Sequence, residues 1–244
     1  MSDSVKDKPS RAEKTRLTRR RIVAAAADLF LDQGYGATTL DQVAARAGVA
    51  VQTVYFHYGN KATLLKLALD EAAVGDDEPV ALLDRPWLAE LSAEPDPVRV
   101  IELWCRGARE ILERVAPLLA VVRGTAGTDP DLAAQWAVNE SQRRTAFRPL
   151  ADLLAERGAL CPELTTQDAA DLAFLISSAE NYIIATRVLG WAPERWQRAT
   201  TRQLAQGLLA PRLLPPRLFG ETSGQDTVAP SQTRGLGRSS SRIG

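Results

Sequence analysis

Apolar residues recur every three or four positions along most of this chain, a spacing typical of amphipathic α-helices. Glycines, prolines and capping residues separate the apolar runs, so the same pattern also indicates where each helix begins and ends. In the first third of the chain the pattern predicts four helices: Thr15 to Gly34, Thr39 to Gly48, Val51 to His57, and a fourth that begins at Lys61.

Further apolar runs follow a connector between residues 75 and 96 that is rich in acids, proline and glycine. Two of these runs begin at Asp96-Pro97 and Asp129-Pro130, because an aspartate cap followed by proline is typical of a helix start. The second run reaches about Arg157 and contains Pro149, which predicts a kink or a break at that point.

The next run, from Thr166 to Gly190, is apolar on nearly all sides, so this helix must be buried in a core or against a partner chain. A last helix begins at Pro193 and carries Trp196. Inside the connector we expect only a short helical turn at Trp87 to Leu91. No convincing run of strands is present, and the pattern therefore predicts an all-α fold.

The predicted fold has an N-terminal three-helix helix-turn-helix domain and a C-terminal helical domain. The N-terminal residues are polar, and the last residues are rich in Ser, Gly, Gln and Thr, as in flexible segments. The predicted divisions are a disordered basic arm at 1–14, the helix-turn-helix domain at 15–60, a connecting helix at 61–74, the helical domain at 75–214, and a flexible tail at 215–244.

Composition is that of a soluble globular protein, with 45% hydrophobic and 25% charged residues. No apolar run reaches the ~20 residues that a membrane helix needs, and the N-terminus is polar, so we expect a cytoplasmic protein without a membrane partner. Cys105 and Cys161 are distant in sequence from each other and from His57, the single histidine. The sequence therefore predicts no metal site, no cofactor and no disulfide, and two buried thiols.

Charge is distributed unevenly, although the formal net charge is zero. Residues 1–65 carry ten Lys and Arg against six Asp and Glu, which gives +4, whereas residues 66–214 carry −6 and residues 215–244 carry +2. A basic head before an acidic middle is typical of a DNA-binding protein, but solvated surface charge explains the same distribution equally well.

The segment from Thr38 to Lys61 carries the most specific chemistry. Two short helices meet at Gly48, which can adopt the positive φ of a tight turn, and the second of them keeps one face free. Glutamine can pair with adenine and valine can touch a thymine methyl group, whereas threonine, tyrosine, histidine and lysine can hold phosphates. The predicted DNA-binding residues are Thr39, Val51, Gln52, Thr53, Tyr55, Phe56, His57 and Lys61. A packed ring for Tyr55 and a cap role for His57 stay open.

The run from Arg20 to Leu65 closely resembles the TetR family of one-component regulators. The matching motifs are I-x-x-A-A-x-x-L-F at Ile22 to Phe30, G-Y-x-x-T-T at Gly34 to Thr39, V-A-x-x-A-G-V at Val43 to Val49, T-V-Y-x-H-Y at Thr53 to Tyr58, and Lys61. The resemblance implies that the third helix enters the major groove, with Tyr55 and Lys61 at phosphate-contacting positions. Ala50 departs from a frequent capping residue, and Gln52 departs from a frequent small residue or proline.

The same resemblance implies that residues 75–214 bind a ligand and that residues 166–210 of two copies form a four-helix bundle. The apolar excess from Phe174 to Ile184 favours such a homodimer independently. The implied effector site lies between the helices that begin at Pro97, Pro130 and Thr166, and we expect a small, mainly apolar or aromatic ligand. Candidate lining residues are Trp104, Trp136, Asn139, Phe147, Phe174, Ser178, Asn181 and Tyr182, although each aromatic ring fits a packed core as well.

The predicted function is a ligand-released repressor that binds a palindromic operator as a dimer, and not an enzyme. One alternative is a DNA-binding activator or DNA-organising protein without a small-molecule switch. A helical enzyme is a remote alternative, because the chain has one histidine, no metal-ligand spacing, no glycine-rich phosphate loop and no nucleophile with an evident base.

Overall fold

The computed structural model describes residues 10–75, 86–127 and 130–214 of the chain. In these ranges the backbone is helical, with a single isolated β-bridge between Leu160 and Leu209, which confirms the all-α fold class. The helices are α1 (Arg11–Ala37), α2 (Leu40–Ala47), α3 (Val51–Tyr58), α4 (Lys61–Val74), α5 (Pro86–Ala93), α6 (Pro97–Ala126), α7 (Pro130–Thr145), α8 (Arg148–Glu156), α9 (Thr166–Ile176), α10 (Ala179–Ile183) with a π-helical turn (Ile184–Val188), α11 (Pro193–Leu208), and a 3-10 turn (Pro211–Leu213).

Helices α1 to α3 form the head of the molecule around a small apolar core. Phe30 of α1, Val43 of α2, Val54 of α3 and Leu64 of α4 are completely buried in this core. Because each helix of the head contributes an apolar side chain to the same core, the position of α3 is fixed from its inner face.

The bounds of α2 are those predicted from the sequence. Thr39 and Gln42 form a capping box at its start, in which each side chain accepts a hydrogen bond from the other residue's backbone N–H. Gly48 ends the helix with a φ of +66°. This left-handed conformation strains any residue that carries a Cβ atom, so a glycine stands at the turn between α2 and α3.

The ends of α1 differ in part from the prediction. The helix begins at Arg11 rather than Thr15, because the Ser10 hydroxyl accepts a hydrogen bond from the N–H of Glu13 at 3.1 Å and caps it. Residues 11–14 are therefore helical, whereas residues 1–9 of the predicted disordered arm lie outside the described residues. Gly34 interrupts the helix with a φ of +83°, as predicted, and a last turn then continues to Ala37.

The body consists of α5 to α11, and its longest helix, α6, packs against α1, α4, α5, α7, α10 and α11. Asp96 caps α6 by accepting a hydrogen bond from the N–H of Val98 at 3.0 Å, and Pro97 occupies its first turn, as predicted. The run from Pro130 is broken into α7 and α8, which confirms the break expected at Pro149. The break lies just before the proline, so that Pro149 falls in the first turn of α8.

The single helix predicted from Thr166 to Gly190 is wrong, because the run is divided into α9, α10 and the π-helical turn. Its cap is Thr165, and α9 ends at Ile176. Ser178 caps α10 by accepting from the N–H of Asn181 at 3.2 Å, and the Asn181 amide donates to the Leu175 carbonyl at 2.6 Å. These polar side chains satisfy backbone groups that a continuous helix would have paired internally.

Helix α5 is longer than the turn predicted at Trp87 to Leu91, whereas α11 begins at Pro193 as predicted. Residues 76–85 of the connector and the tail at 215–244 lie outside the described residues. Cys105 is buried as expected, and burial raises the pKa of its thiol to about 12. Cys161 is only half-buried, and the prediction of a buried thiol is wrong there. None of the described helices is long and apolar enough to cross a membrane.

Candidate DNA interface and ligand cavity

The outer face of α3 is the strongest candidate for a contact with DNA. Gln52 is exposed, and the side chains of Tyr55 and Phe56 are 53% and 85% exposed. Gln52 and Phe56 are four residues apart, so their side chains lie next to each other on one face of the helix. A phenylalanine so exposed gains little from burial within its own chain, which favours a surface that another molecule covers.

The inner face of α3 is held by the head. The Tyr58 hydroxyl donates to the Arg19 carbonyl at 3.2 Å and joins α3 to α1, and burial raises the pKa of this hydroxyl. Ala50, before the first turn, provides no side-chain cap, as its departure from the family pattern indicated. Val51 is half-buried and packs against the head core rather than lying on the free face.

Two further predicted contacts, Thr53 and His57, are half-buried beside the exposed face. The His57 ring lies between the rings of Phe56 and Tyr58, with centroids at 5.2 and 6.0 Å. Thr39 is exposed at the start of α2. Its hydroxyl accepts the capping hydrogen bond, and a hydroxyl in that role still has a hydrogen to donate to a phosphate oxygen.

The ammonium group of Lys61 lies where the sequence did not predict it. Its Nζ donates to the carbonyl oxygens of Tyr35 at 2.8 Å, Thr38 at 3.2 Å and Gly36 at 3.4 Å, and lies 4.3 Å from the centre of the Tyr35 ring. An ammonium group has three hydrogens to donate, and three carbonyls receive them. Lys61 therefore holds the turn between α1 and α2, whereas the predicted phosphate contact stays a prediction.

The body encloses a cavity of about 170 Å³ between α4, α5, α6, α7, α9 and α10. Five of the eight predicted ligand-binding residues line it, namely Trp104, Asn139, Phe147, Phe174 and Ser178. Most of the remaining wall is aliphatic and comes from α4 and α6. Its members are Leu69, Ala73, Ala108, Ile111, Leu112, Val115, Leu119, Ala146 and Ala179.

Three predicted ligand residues lie elsewhere. Trp136 lies under the Arg143 guanidinium, whose carbon is 5.0 Å from the centre of the indole, and lines a separate shallow pocket. The Asn181 side chain binds carbonyls at the end of α9. Tyr182 packs edge-on against Trp196, with ring centres 5.1 Å apart. For these residues the apolar character of the helix gave no information on which side faces the cavity.

Two wall residues, Trp87 and Arg143, were missed by the sequence analysis. Trp87 belongs to the segment taken as a connector, and its ring packs so closely on Gly107 that a Cβ atom there would lie 3.2 Å from the ring. Arg143 lies four residues after Asn139, so the two share a face of α7. That helical spacing was a signal for Arg143, whereas nothing local indicated that Trp87 would meet α6.

Four aromatic rings form a continuous row along the cavity, which we call the aromatic row. Trp87 and Trp104 have centroids 5.7 Å apart, Trp104 and Phe147 are 5.5 Å apart, and Phe147 and Phe174 are 5.7 Å apart. The row joins α5 to α9 across the body, so its rings offer faces and edges to a flat apolar molecule.

Polar atoms without partners are concentrated at the same cavity. Among the described residues, four buried side-chain atoms have no hydrogen-bond partner, and three of them belong to lining residues: Trp104 Nε1, Asn139 Oδ1 and Arg143 Nε. The other nitrogens of Arg143 bind Glu180, with the shortest contact at 3.2 Å. Burial opposes ionisation of Glu180, yet hydrogen bonds from Arg143 hold the pKa of its carboxyl below the ordinary value.

Helix α4 connects the candidate DNA interface to the cavity. Its first residue, Lys61, holds the head turn, while Leu69, Asp70 and Ala73 line the cavity. Arg114 of α6 donates to the carbonyls of Ala72 at 2.8 Å and Ala73 at 3.1 Å, at the end of α4. A change in the cavity can therefore reach the head through one helix.

An exposed apolar surface lies on the segment that was predicted to pair with a second copy. Leu175, Ile184, Val188 and Leu189 are 64%, 49%, 73% and 58% exposed. The expectation that this segment is buried is therefore not met inside one chain. Contiguous exposed apolar side chains favour an interface with another protein surface.

Residues 22–68 match the family described as "Bacterial regulatory proteins, tetR family". The chain is 37% identical over 84 residues to the HTH-type transcriptional regulator SrpR of Pseudomonas putida, covering 33% of this chain and 39% of that protein. It is 36% identical over 90 residues to the HTH-type transcriptional regulator TtgW of Pseudomonas putida, covering 36% of this chain and 67% of that protein. The match thus spans about two fifths of the first relative and two thirds of the second.

Two solved structures show that the similarity of fold extends over most of the chain. The SmeT–triclosan complex is 17% identical, with a TM-score of 0.64, and covers 85% of this chain and 99% of that chain. NalD, the secondary repressor of the MexAB-OprM multidrug efflux pump in Pseudomonas aeruginosa, is 24% identical, with a TM-score of 0.59, and covers 80% and 98%.

Proposed function

Because the chain belongs to the TetR family of bacterial regulatory proteins, we propose that it is a DNA-binding transcriptional repressor that a small ligand releases from its operator. The family consists of transcriptional regulators rather than enzymes. The observation that carries the proposal is the outer face of α3, where Gln52, Tyr55 and Phe56 are exposed on a helix held by the head core.

In this proposal α3 lies in the major groove. Gln52 reads an adenine, since a glutamine amide can donate to N7 and accept from the N6 amino group, and Phe56 beside it contacts a thymine methyl group. Tyr55, Thr39, Thr53 and His57 contact the flanking phosphates. These contacts set the register of the head, and the base contacts supply the sequence preference.

The operator is an inverted repeat that a homodimer reads. The exposed apolar surface within residues 166–210 supports a contact between two copies, and a two-fold dimer presents two α3 helices related by the same symmetry. Two such helices match half-sites about one helical turn or more apart.

Release by a ligand is supported by the position of the cavity beside α4. A ligand that binds more tightly to another arrangement of the body shifts the heads, and it weakens DNA binding only by that difference in affinity. A triclosan complex of SmeT and the repressor role of NalD, both proteins of the same fold, are consistent with a ligand-controlled repressor here.

The test is capture of genomic fragments by the purified full-length protein, followed by titration of the best fragment and of variants with single base changes. We expect tight binding to a short inverted repeat. Gln52→Ala should relax the preference at one base pair per half-site, a loss of about 1–3 kcal/mol for each contact that reads a base. Gln142→Ala, an exposed glutamine on α7, is the matched control. Equally weak binding to every fragment would refute the proposed sequence-specific function.

A further inference from the structure

We propose that the ligand of the cavity is an uncharged hydroxylated aromatic molecule of one or two rings, whose hydroxyl group is recognised by Trp104, Asn139 and Arg143. This inference rests on the proposed function, because it assigns a chemical class to the proposed effector. Size, hydrogen bonding and charge each support it separately.

The size and the walls of the cavity favour a small aromatic molecule. Its volume is about 170 Å³, close to the engineered apolar cavity of about 150 Å³ that binds benzene. The aromatic row lines it on one side, and aliphatic side chains such as Ile111, Leu112 and Val115 line it on another. Aromatic rings at such distances pack favourably in edge-to-face or offset arrangements, so a further ring can extend the row.

The unpartnered polar atoms require a ligand group that both donates and accepts. The Nε1–H of Trp104 and the Nε–H of Arg143 are donors, whereas Asn139 Oδ1 is an acceptor. A buried polar atom without a partner is costly, and a ligand that supplies the partner removes that cost. A hydroxyl group accepts from a donor and donates to an acceptor at once, and it is the smallest neutral group that does so.

Charge in the wall is already balanced, which favours a neutral ligand. Arg143 is paired with Glu180 at 3.2 Å, and Asp70 is paired with Lys66 at 2.6 Å. The lowered pKa of Glu180 keeps the first of these pairs ionised at neutral pH. A carboxylate or an amine in this cavity would bring an uncompensated charge into an apolar space, and this is strongly unfavourable.

Direct binding to the full-length protein tests the inference without DNA. Calorimetric titration compares four probes of one shape: naphthalene, β-methoxynaphthalene, β-naphthol and β-naphthoate. The methoxy group only accepts hydrogen bonds, the hydroxyl group donates and accepts, and the carboxylate is charged. We expect β-naphthol to bind at least about tenfold more tightly than each of the other three probes.

Variants assign the preference to individual wall atoms. Asn139→Leu removes the acceptor, so the preference for β-naphthol over β-methoxynaphthalene should fall from about tenfold to less than about twofold. Trp104→Phe removes a donor and should weaken both oxygenated probes but not naphthalene. Trp191→Phe, whose ring packs under Arg195 outside the cavity, should change none of the affinities.

Folding of the variants can be checked in the same samples. Both wall substitutions remove a buried polar atom without a partner, so the thermal midpoint of the free protein should not fall by more than a few degrees. If one variant fails to fold, the other still separates the role of the acceptor from that of the donor.

Three results would overturn the inference: equal affinity for naphthalene and β-naphthol, tightest binding of β-naphthoate, or no binding of any probe by a protein that still selects its operator. The last result would leave the proposed DNA-binding function intact. Failure to select an operator would instead refute the proposed function, while the calorimetric preference for the hydroxyl group would stand by itself.

Discussion

The ammonium group of Lys61 contacts three backbone carbonyls and the face of Tyr35, although its place in the sequence predicted a phosphate contact. The carbonyls belong to the turn that follows the kink at Gly34, where helical hydrogen bonding stops and carbonyl oxygens need other partners. One side chain thus fixes the approach of α1 to α2, and with it the orientation of the face that carries Gln52 and Phe56.

Replacement of Lys61 by methionine tests this role, since methionine keeps most of the side-chain length and loses the three hydrogen bonds. We expect Lys61→Met to lower the free energy of unfolding by about 1–2 kcal/mol without DNA, measured by urea denaturation. The control on the same helix, Lys66→Met, removes an exposed pair with Asp70 and should cost less than about 0.5 kcal/mol. Equal stability of the two variants would show that the contacts of Lys61 do not stabilise the head.

At the scale of elements, most helix ends follow from capping residues that are local in sequence. Asp96-Pro97, Gly48 and the capping box at Thr39 mark helix ends because each satisfies orphan backbone groups within a few residues. The break at Ser177 and Ser178 was not predicted, because side-chain caps inside an apolar run compete with a continuous helix and local sequence does not decide between them.

The cavity shows the same limit for long-range packing. Phe147 and Phe174 could be placed on the right helices from their apolar surroundings, and both line the cavity. Trp87 could not, since its position depends on a close approach to Gly107, which lies on another helix. Tyr182 was assigned to the cavity and lies against Trp196 instead, because helical periodicity identifies a buried face but not its neighbour.

The contact between Arg114 and the end of α4 makes the coupling of cavity and head testable. Arg114→Met removes two hydrogen bonds to the last carbonyls of α4, so a ligand can move α4 with less effect on the body. We expect the ratio of operator affinities without and with ligand to fall by about threefold to tenfold, measured by fluorescence anisotropy with β-naphthol. Arg99→Met is the control on the same helix, because Arg99 pairs only locally with Glu102. An unchanged ratio would show that this contact has no part in the coupling.

At the scale of the whole molecule, one chain leaves an apolar surface uncovered. Leu175 and Val188 are more than half exposed although they lie in the most apolar run of the sequence. The residues of α9 that do face the chain interior are mostly alanines, among them Ala169, Ala170 and Ala173. The larger apolar side chains are thus directed away from the core, which is economical only if a second copy covers them.

A charge placed on this surface should separate two copies. Val188→Asp would bury an unpaired carboxylate in the proposed dimer, and we expect the dimer dissociation constant to rise more than about hundredfold, as ~3 kcal/mol implies. Sedimentation velocity over a dilution series measures the change. Val138→Asp, at a 56% exposed valine on α7, is the matched control. If both variants stayed dimeric, the interface would have to lie on another surface.

Helix α4 has a mechanical meaning for the molecule. With 14 residues it is about 21 Å long, at about 1.5 Å per residue, and its two ends are held by different parts of the chain. It can act as a lever, in which a displacement of about 1 Å at the cavity end becomes a rotation of about 3° at the other end. In a two-fold dimer the two levers turn in opposite senses, so small rotations add across the pair. Repression could then be lifted by geometry alone, with both heads still fully folded.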